Sequence, residues 1–225
     1  MGSEFALPRI PWFSGVEEKI VTQDTAFIAI DVQNDFCPGG ALAVADGDQV
    51  VPVVNRLMPR YPVRVVTQDW HPADHFSFAS NTDGAAPFSL IDASYGPQVL
   101  WPDHCVQGTA GADFHKDLLV DAADLIIRKG YRSRIDSYSA FFENDHTTPT
   151  GLEGYLRTRG VTKMVLAGLA TDFCVRFSAV DGARLGFDVT LVEDGCRAID
   201  LDGSLATAMA EMQAEGVHFR QSTDL

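Results

Sequence analysis

The sequence is short of basic residues: 17 Lys and Arg stand against 31 Asp and Glu, a net charge of −14 over 225 residues. So acidic a surface repels phosphate backbones and gains nothing from an anionic membrane, so no nucleic-acid or membrane partner is expected without a local basic patch. The densest basic stretch, Arg128-Lys129-Gly130-Tyr131-Arg132-Ser133-Arg134, is too short to supply one. No apolar run approaches the roughly 18 residues that a membrane-spanning helix needs. No basic segment precedes an apolar one at the start of the chain, so no secretory signal is expected. Cysteine is sparse as well. Cys37, Cys105, Cys174 and Cys196 contain no Cys-x-x-Cys pair, which leaves reduced thiols in a cytoplasmic setting as the expectation. Internal repeats and low-complexity tracts are absent, and Gly at 19 and Pro at 11 are ordinary, which excludes collagen-like and disordered chains.

What is present is enough apolar material, 46% of the residues, for a real core. Thr25–Ile30 is a short continuous apolar run that ends at Asp31 and reads as a strand buried on both faces, as in a parallel sheet. Val63–Thr67, Leu125–Ile127, Lys163–Gly168 and Val189–Val192 read alike, with Val217–Phe219 as a weaker sixth. Helical segments are expected between several of them. Asp48–Met58 carries the stripe Val50, Val51, Val54 and Leu57, and Gly151–Arg159, Thr171–Leu185 and Leu205–Ala214 are each followed by a glycine stop. Strands alternating with helices predict one α/β domain with a parallel sheet, assigned to residues 21–225. Residues 1–20 read as an N-terminal extension, in which Gly2-Ser3-Glu4-Phe5 looks like translated cloning sites. Residues 70–112 break the rhythm. They hold little periodicity, yet they carry Trp70, His71, His75, Trp101 and His104, and long irregular segments in compact domains are usually functional.

Open α/β sheets bind ligands outside the carboxyl ends of their strands. The first strand ends at Asp31, the second at Asp69 followed by His71, the third at Lys129, and the fourth in Gly168-Leu169-Ala170-Thr171-Asp172-Phe173-Cys174. A carboxylate, an Asp-x-His pair, a lysine and a cysteine thus converge on one edge. With Thr171 as N-cap, Cys174 falls in a first helical turn, where the helix charge lowers a thiol pKa and backbone N–H groups can hold an oxyanion. Asp31 is placed to take the thiol proton and return it to a leaving amine, and Lys129 to hold Asp31 and stabilise negative charge. Asp69, His71, His75 and His104 have the composition of a site for one divalent metal ion, Zn²⁺, Fe²⁺ or Mn²⁺. Phe36 and Trp101 could wall a pocket for a flat ring. Asp35 reads as a capper of loop N–H groups, and Cys37, Cys105, Cys196, His115, His146 and His218 as structural or ordinary surface residues.

Asp31-Val32-Gln33-Asn34-Asp35-Phe36, Asp69-Trp70-His71-Pro72, Trp101-Pro102-Asp103-His104-Cys105-Val106, Lys129-Gly130 and Gly168-Leu169-Ala170-Thr171-Asp172-Phe173-Cys174-Val175 occur in an order that resembles the nicotinamidase (pyrazinamidase) family of the isochorismatase-like cysteine hydrolases. The Asp, Lys and Cys alone would indicate only that superfamily; the Asp-x-His and Trp-Pro-x-His elements narrow it to the metal-dependent members. The resemblance implies a three-layer α/β/α fold around a six-stranded, mostly parallel sheet. It also implies a catalytic triad of Asp31, Lys129 and Cys174, and a metal held by Asp69, His71 and His104, with His75 a ligand in some members and an outer neighbour in others. The Leu169–Ala170 peptide would be cis, Ala170 and Cys174 N–H groups would hold the oxyanion, and Phe36, Trp101, Leu169 and Ala170 would contact substrate. The implied reaction is hydrolysis of nicotinamide to nicotinate and ammonia through a cysteine thioester, a step of NAD salvage, with pyrazinamide a further substrate and homo-oligomers common among relatives. Asn81–Tyr95 looks like an insertion found in longer members. Two other readings stay open: another isochorismatase-like hydrolase acting on a different small amide, and a non-catalytic zinc-binding interaction module with Cys174 in its core. A papain-like Cys–His protease is disfavoured, since it needs a histidine placed for Cys174 and the sequence offers the Asp–Lys–Cys edge instead.

Overall fold

A computed structural model describes residues 22–225; the extension assigned to residues 1–20 lies outside the described residues. The main chain forms a six-stranded sheet in the order β5-β2-β1-β6-β7-β8, with every neighbouring pair parallel. Its strands are β1 (Thr25–Ile30), β2 (Val63–Asp69), β5 (Leu125–Lys129), β6 (Lys163–Leu169), β7 (Asp188–Arg197) and β8 (His218–Arg220). All six strands expected from the sequence are present. Two further strands, β3 (Leu90–Ala93) and β4 (Gly96–Val99), pair antiparallel as a separate hairpin.

Side-chain alternation along β1 divides the core in two. Phe27 and Ala29 face the side covered by α1 (Val50–Leu57), where Val50, Val51, Val54 and Leu57 are buried as the helical stripe requires. Pro52 sits in the first turn of α1, where its missing N–H has no helical partner to lose. Ala26, Ile28 and Ile30 face the opposite side, where α2 (Leu152–Thr158), α3 (Arg176–Arg184) and α4 (Ser204–Ala214) contribute Leu152, Leu156, Val180, Ala208 and Met212. Helices therefore cover both faces, as the three-layer expectation requires.

The chain runs outward from β1 through β2 to β5, then returns to place β6 on the other side of β1. The direction of winding reverses between β1 and β6, and the crevice at such a reversal is where this class of sheet binds ligands. Gly168, near the end of β6, makes that crevice narrow. Its φ is +131°, and a Cβ there would lie 2.1 Å from the Ile30 carbonyl oxygen, so only glycine lets β6 approach the residue preceding Asp31 this closely.

Candidate active site

Asp31 is fully buried and leaves β1 in a left-handed conformation, φ +46°. Thr67 on β2 secures it twice: the Thr67 hydroxyl accepts the Asp31 N–H at 3.0 Å and donates to Asp31 Oδ1 at 2.6 Å. Asp31 Oδ2 lies 2.8 Å from Lys129 Nζ, without the alignment of a hydrogen bond, and so retains a lone pair for a proton. Asp69 and Lys129 are register partners on β2 and β5, which sets Lys129 Nζ 2.6 Å from Asp69 Oδ1. The same ammonium donates to the Ser137 carbonyl at 3.0 Å and to Cys174 Sγ at 3.4 Å. Lys129 is wholly buried rather than a solvated lysine. Burial disfavours its charge, but the two carboxylates outweigh that and lift its pKa well above the usual value.

Cys174 lies in a π-helical turn, Thr171–Val175, that runs into α3. Ala170, not Thr171, caps this turn, and no side chain caps it. The Ala170 carbonyl instead accepts the N–H groups of Phe173 and Val175, both at 3.1 Å, and the Leu169–Ala170 peptide before it is cis. The lowered thiol pKa expected from a helix start is not what the surroundings give. Burial raises the Cys174 thiol well above its usual value, with Asp31 and Asp69 adding to the effect against Lys129. Burial also raises Asp31 above the ordinary carboxylate range, against the pull of Lys129. The resting pair is thus a protonated thiol beside a carboxylate of unusually high proton affinity. Asp31, Asp69 and Cys174 bring their reactive atoms within 4.8 Å of one another.

The second group shares Asp69. Its Oδ2 lies 3.4 Å from His71 Nε2 and 3.8 Å from His104 Nε2. Both rings are tied from behind, His71 Nδ1 to the Gly130 carbonyl at 2.9 Å and His104 Nδ1 to the Pro102 carbonyl at 2.8 Å. These carbonyls fix the proton on Nδ1 and leave each Nε2 with a lone pair toward Asp69, the backing that metal-ligating histidines have. Gly130 (φ +65°) makes room for the arrangement, since a Cβ there would lie 2.4 Å from the His71 ring. Burial would raise Asp69, but Lys129 holds its carboxyl well below the usual range. Burial holds His104 down at about 4, so it stays neutral and able to ligate. The donor set fits a divalent cation. His75 stands apart: its Nδ1 contacts Ser77 Oγ at 2.7 Å and its Nε2 the Ile135 carbonyl at 3.2 Å, and it groups with His71 and Asp136 rather than with Asp69 and His104.

Between the two groups opens a cavity lined by Phe36, Leu42, Asp69, His71, Trp101, His104, Asp136, Tyr138, Ala170, Phe173, Cys174 and Ile199. The aromatic walls expected from Phe36 and Trp101 are there, and Ala170 joins them, whereas Leu169 packs into the core on the α1 side. Trp101 is set edge-on to Phe173 (4.9 Å between centroids, 86°) and its indole N–H donates to the Tyr138 hydroxyl at 2.9 Å. Tyr138, Asp136, Ile199 and Thr67 escape sequence reasoning. The first two lie in the aperiodic stretch after Lys129, and Thr67 is one β-branched residue among several in its strand; only Phe173, adjacent to Cys174, carried a signal.

The remaining assignments find plain structural partners. Asp35 accepts the N–H groups of Ala41 at 3.0 Å and Cys105 at 2.7 Å, a capping role. Cys37, Cys105 and Cys196 are buried free thiols, pushed up by burial, Cys37 to about 11 and Cys196 to about 12. No helix among the described residues is long and apolar enough to cross a membrane.

Residues 25–224 match the Isochorismatase domain family. The chain is 53% identical over 192 residues to a nicotinamidase of Acinetobacter baylyi, covering 85% of this chain and 90% of that one. It is 43% identical over 196 residues to the nicotinamidase of Escherichia coli, covering 85% and 92%. Among solved structures it resembles a nicotinamidase/pyrazinamidase of Acinetobacter baumannii (TM-score 0.89, 53% identity, 90% of this chain and 98% of that one). It also resembles an L. infantum protein, PnC1, in complex with nicotinate (TM-score 0.79, 38%, 90% and 96%). A third neighbour is a pyrazinamidase of Pyrococcus horikoshii in complex with zinc (TM-score 0.70, 34%, 88% and 99%).

Proposed function

The chain belongs to the isochorismatase family, and within it we propose that it is an amidohydrolase that converts nicotinamide to nicotinate and ammonia. The carrying observation is the juxtaposition of Asp31 and Lys129 with Cys174, which itself lines a cavity walled by Phe36 and Trp101. Nicotinamidases at 53% and 43% identity and a neighbour holding nicotinate support the substrate class.

In the reaction, Cys174 Sγ attacks the carboxamide carbon while its proton passes to Asp31 Oδ2. The negative charge that develops on the carbonyl oxygen is met by the N–H groups of Ala170 and Cys174. Asp31 returns the proton to nitrogen, the C–N bond breaks and ammonia leaves a thioester. A water then attacks the thioester carbon and gives one proton to Asp31; the C–S bond breaks, the thiolate recovers that proton, and nicotinic acid leaves and loses its remaining carboxyl proton to solvent as nicotinate. Lys129 holds Asp31 and balances the charge on sulfur. Burial raises both groups, so the thiol stays protonated until substrate arrives and Asp31 is a stronger base than an ordinary carboxylate. Asp69, His71 and His104 would hold one divalent cation, zinc being the ion in the Pyrococcus relative. Bound there, it supplies Lewis-acid character for orienting a substrate lone pair. Pyrazinamide, a flat ring of the same size with the same carboxamide, fits the same reading.

The test is ammonia and nicotinate release from nicotinamide, measured beside a panel of other small amides. Turnover of nicotinamide that Cys174→Ala abolishes supports the assignment. No turnover of nicotinamide by the metal-loaded wild type, with another amide consumed, moves the substrate elsewhere in the family.

A further inference from the structure

The β3–β4 hairpin shares no strand pairing with the six-stranded sheet, and its residues are largely half-buried or exposed. Gln98 on β4 is the exception at 1% exposure. A buried amide must spend its donors and acceptor on protein partners, and two of those of Gln98, Asp136 and Tyr138, lie in the pocket wall. The Gln98 Nε2 shares its two N–H groups among Asp136 Oδ2 at 2.7 Å, the Tyr138 hydroxyl at 2.9 Å and the Val99 carbonyl of its own hairpin at 2.7 Å. Its Oε1 accepts from the Tyr95 hydroxyl at 2.7 Å and from Asn144 Nδ2 at 3.2 Å. The Tyr138 hydroxyl also accepts the Trp101 indole N–H, so amide, hydroxyl and indole form one chain. The Trp101 and Tyr138 rings stand edge to face, 6.1 Å apart at 85°. Trp101, Tyr138 and Asp136 all line the cavity, whereas Gln98 does not.

We propose that Gln98 is a positioning residue that sets the ring-binding wall of the cavity from the hairpin, through Tyr138 and Asp136; the proposal rests on that cavity being the substrate pocket. Gln98 is the one hydrogen-bond donor to Asp136 Oδ2 among the described residues. Its removal frees that carboxylate and the Tyr138 hydroxyl to reorient toward each other, and Trp101 loses its fixed acceptor. Asp31, Lys129 and Cys174 make no contact with Gln98, so the chemistry of the thiol is spared.

The experiment compares Gln98→Leu and Tyr95→Phe with wild type in the full-length, metal-loaded enzyme. In Gln98→Leu, KM for nicotinamide rises about tenfold with kcat held within about threefold, the pattern of lost binding rather than lost chemistry. Iodoacetamide modifies Cys174 at an unchanged rate, and the Trp101 indole N–H, identified with Trp101→Phe, exchanges with deuterium about tenfold faster. Tyr95→Phe removes the hydroxyl that orients the Gln98 oxygen and that also accepts the Asp136 N–H at 3.4 Å. It moves KM and exchange in the same direction by a smaller factor, and it serves if Gln98→Leu does not fold. Unchanged KM and unchanged indole exchange overturn the proposal, as does a parallel loss of kcat and alkylation rate with KM. If wild type releases no ammonia from nicotinamide, the substrate reading fails by itself and the indole exchange alone decides the role of Gln98.

Discussion

Two groups of charged side chains share one edge of the sheet, joined by the 2.6 Å contact between Lys129 and Asp69. Around Cys174 the reactive groups face one another, with Asp31 Oδ1 fixed by Thr67 and Oδ2 left beside Lys129. Around Asp69 the histidines are tied outward to backbone carbonyls, so their Nε2 atoms stand unspent toward the carboxylate. On the proposed reading, the first arrangement moves a proton among its own members and the second would hold a cation. Buried charge of similar density would then serve chemistry in one place and ligation in the other, with the hydrogen bonds on the far side of each group making the difference.

Breaking the first group should have the largest effect. Lys129→Met leaves Asp31 and Asp69 buried without their counter-ion, a change that costs about 3–5 kcal/mol when a buried pair is broken. Thermal melting should fall markedly, and kcat should drop by about 10³-fold or more in whatever folded fraction remains. Breaking the second should spare the thiol. His104→Ala deletes a direct ligand and is expected to weaken metal affinity by more than the about 10–100-fold that losing an outer partner costs; like removal of metal by a chelator, it should raise KM for nicotinamide while iodoacetamide still modifies Cys174 at close to the wild-type rate. Elemental analysis and mass spectrometry check the two halves of that statement.

Finer cuts sharpen the distinction. Thr67→Val removes the hydroxyl that steadies Asp31, a loss of about 1 kcal/mol of hydrogen bonding and so about fivefold to tenfold in kcat, with Thr67→Ser restoring it. That hydroxyl favours the ionised carboxylate, so its loss raises the Asp31 pKa. The acid limb of the kcat/KM profile should therefore move to higher pH. The smallest effect belongs to Cys196→Ser, whose thiol lies outside both groups; turnover should stay within about twofold of wild type.

The sheet was legible because its strands are buried on both faces and read as short continuous apolar runs, β1 most plainly. The convergence of Asp31, Asp69, Lys129 and Cys174 followed from strand ends alone, since parallel strands carry their last residues to one edge. The hairpin did not announce itself: four-residue strands with exposed faces and a Pro97 leave no alternation to detect. Nor did Tyr138 and Asp136, which reach the cavity from an aperiodic loop through long-range contacts. For a related reason the proton affinity of Cys174 differs from the sequence expectation: local position at a helix start says nothing of how deeply the fold buries the thiol, nor of the carboxylates packed around it.

The most direct measurement is ammonia release from nicotinamide by metal-loaded enzyme titrated with an alkylating reagent, with each modified cysteine mapped by peptide mass spectrometry. Activity lost in step with modification of Cys174, and independent of Cys37, Cys105 and Cys196, is the predicted result. Ammonia release that persists with Cys174 fully alkylated would contradict covalent catalysis at this site.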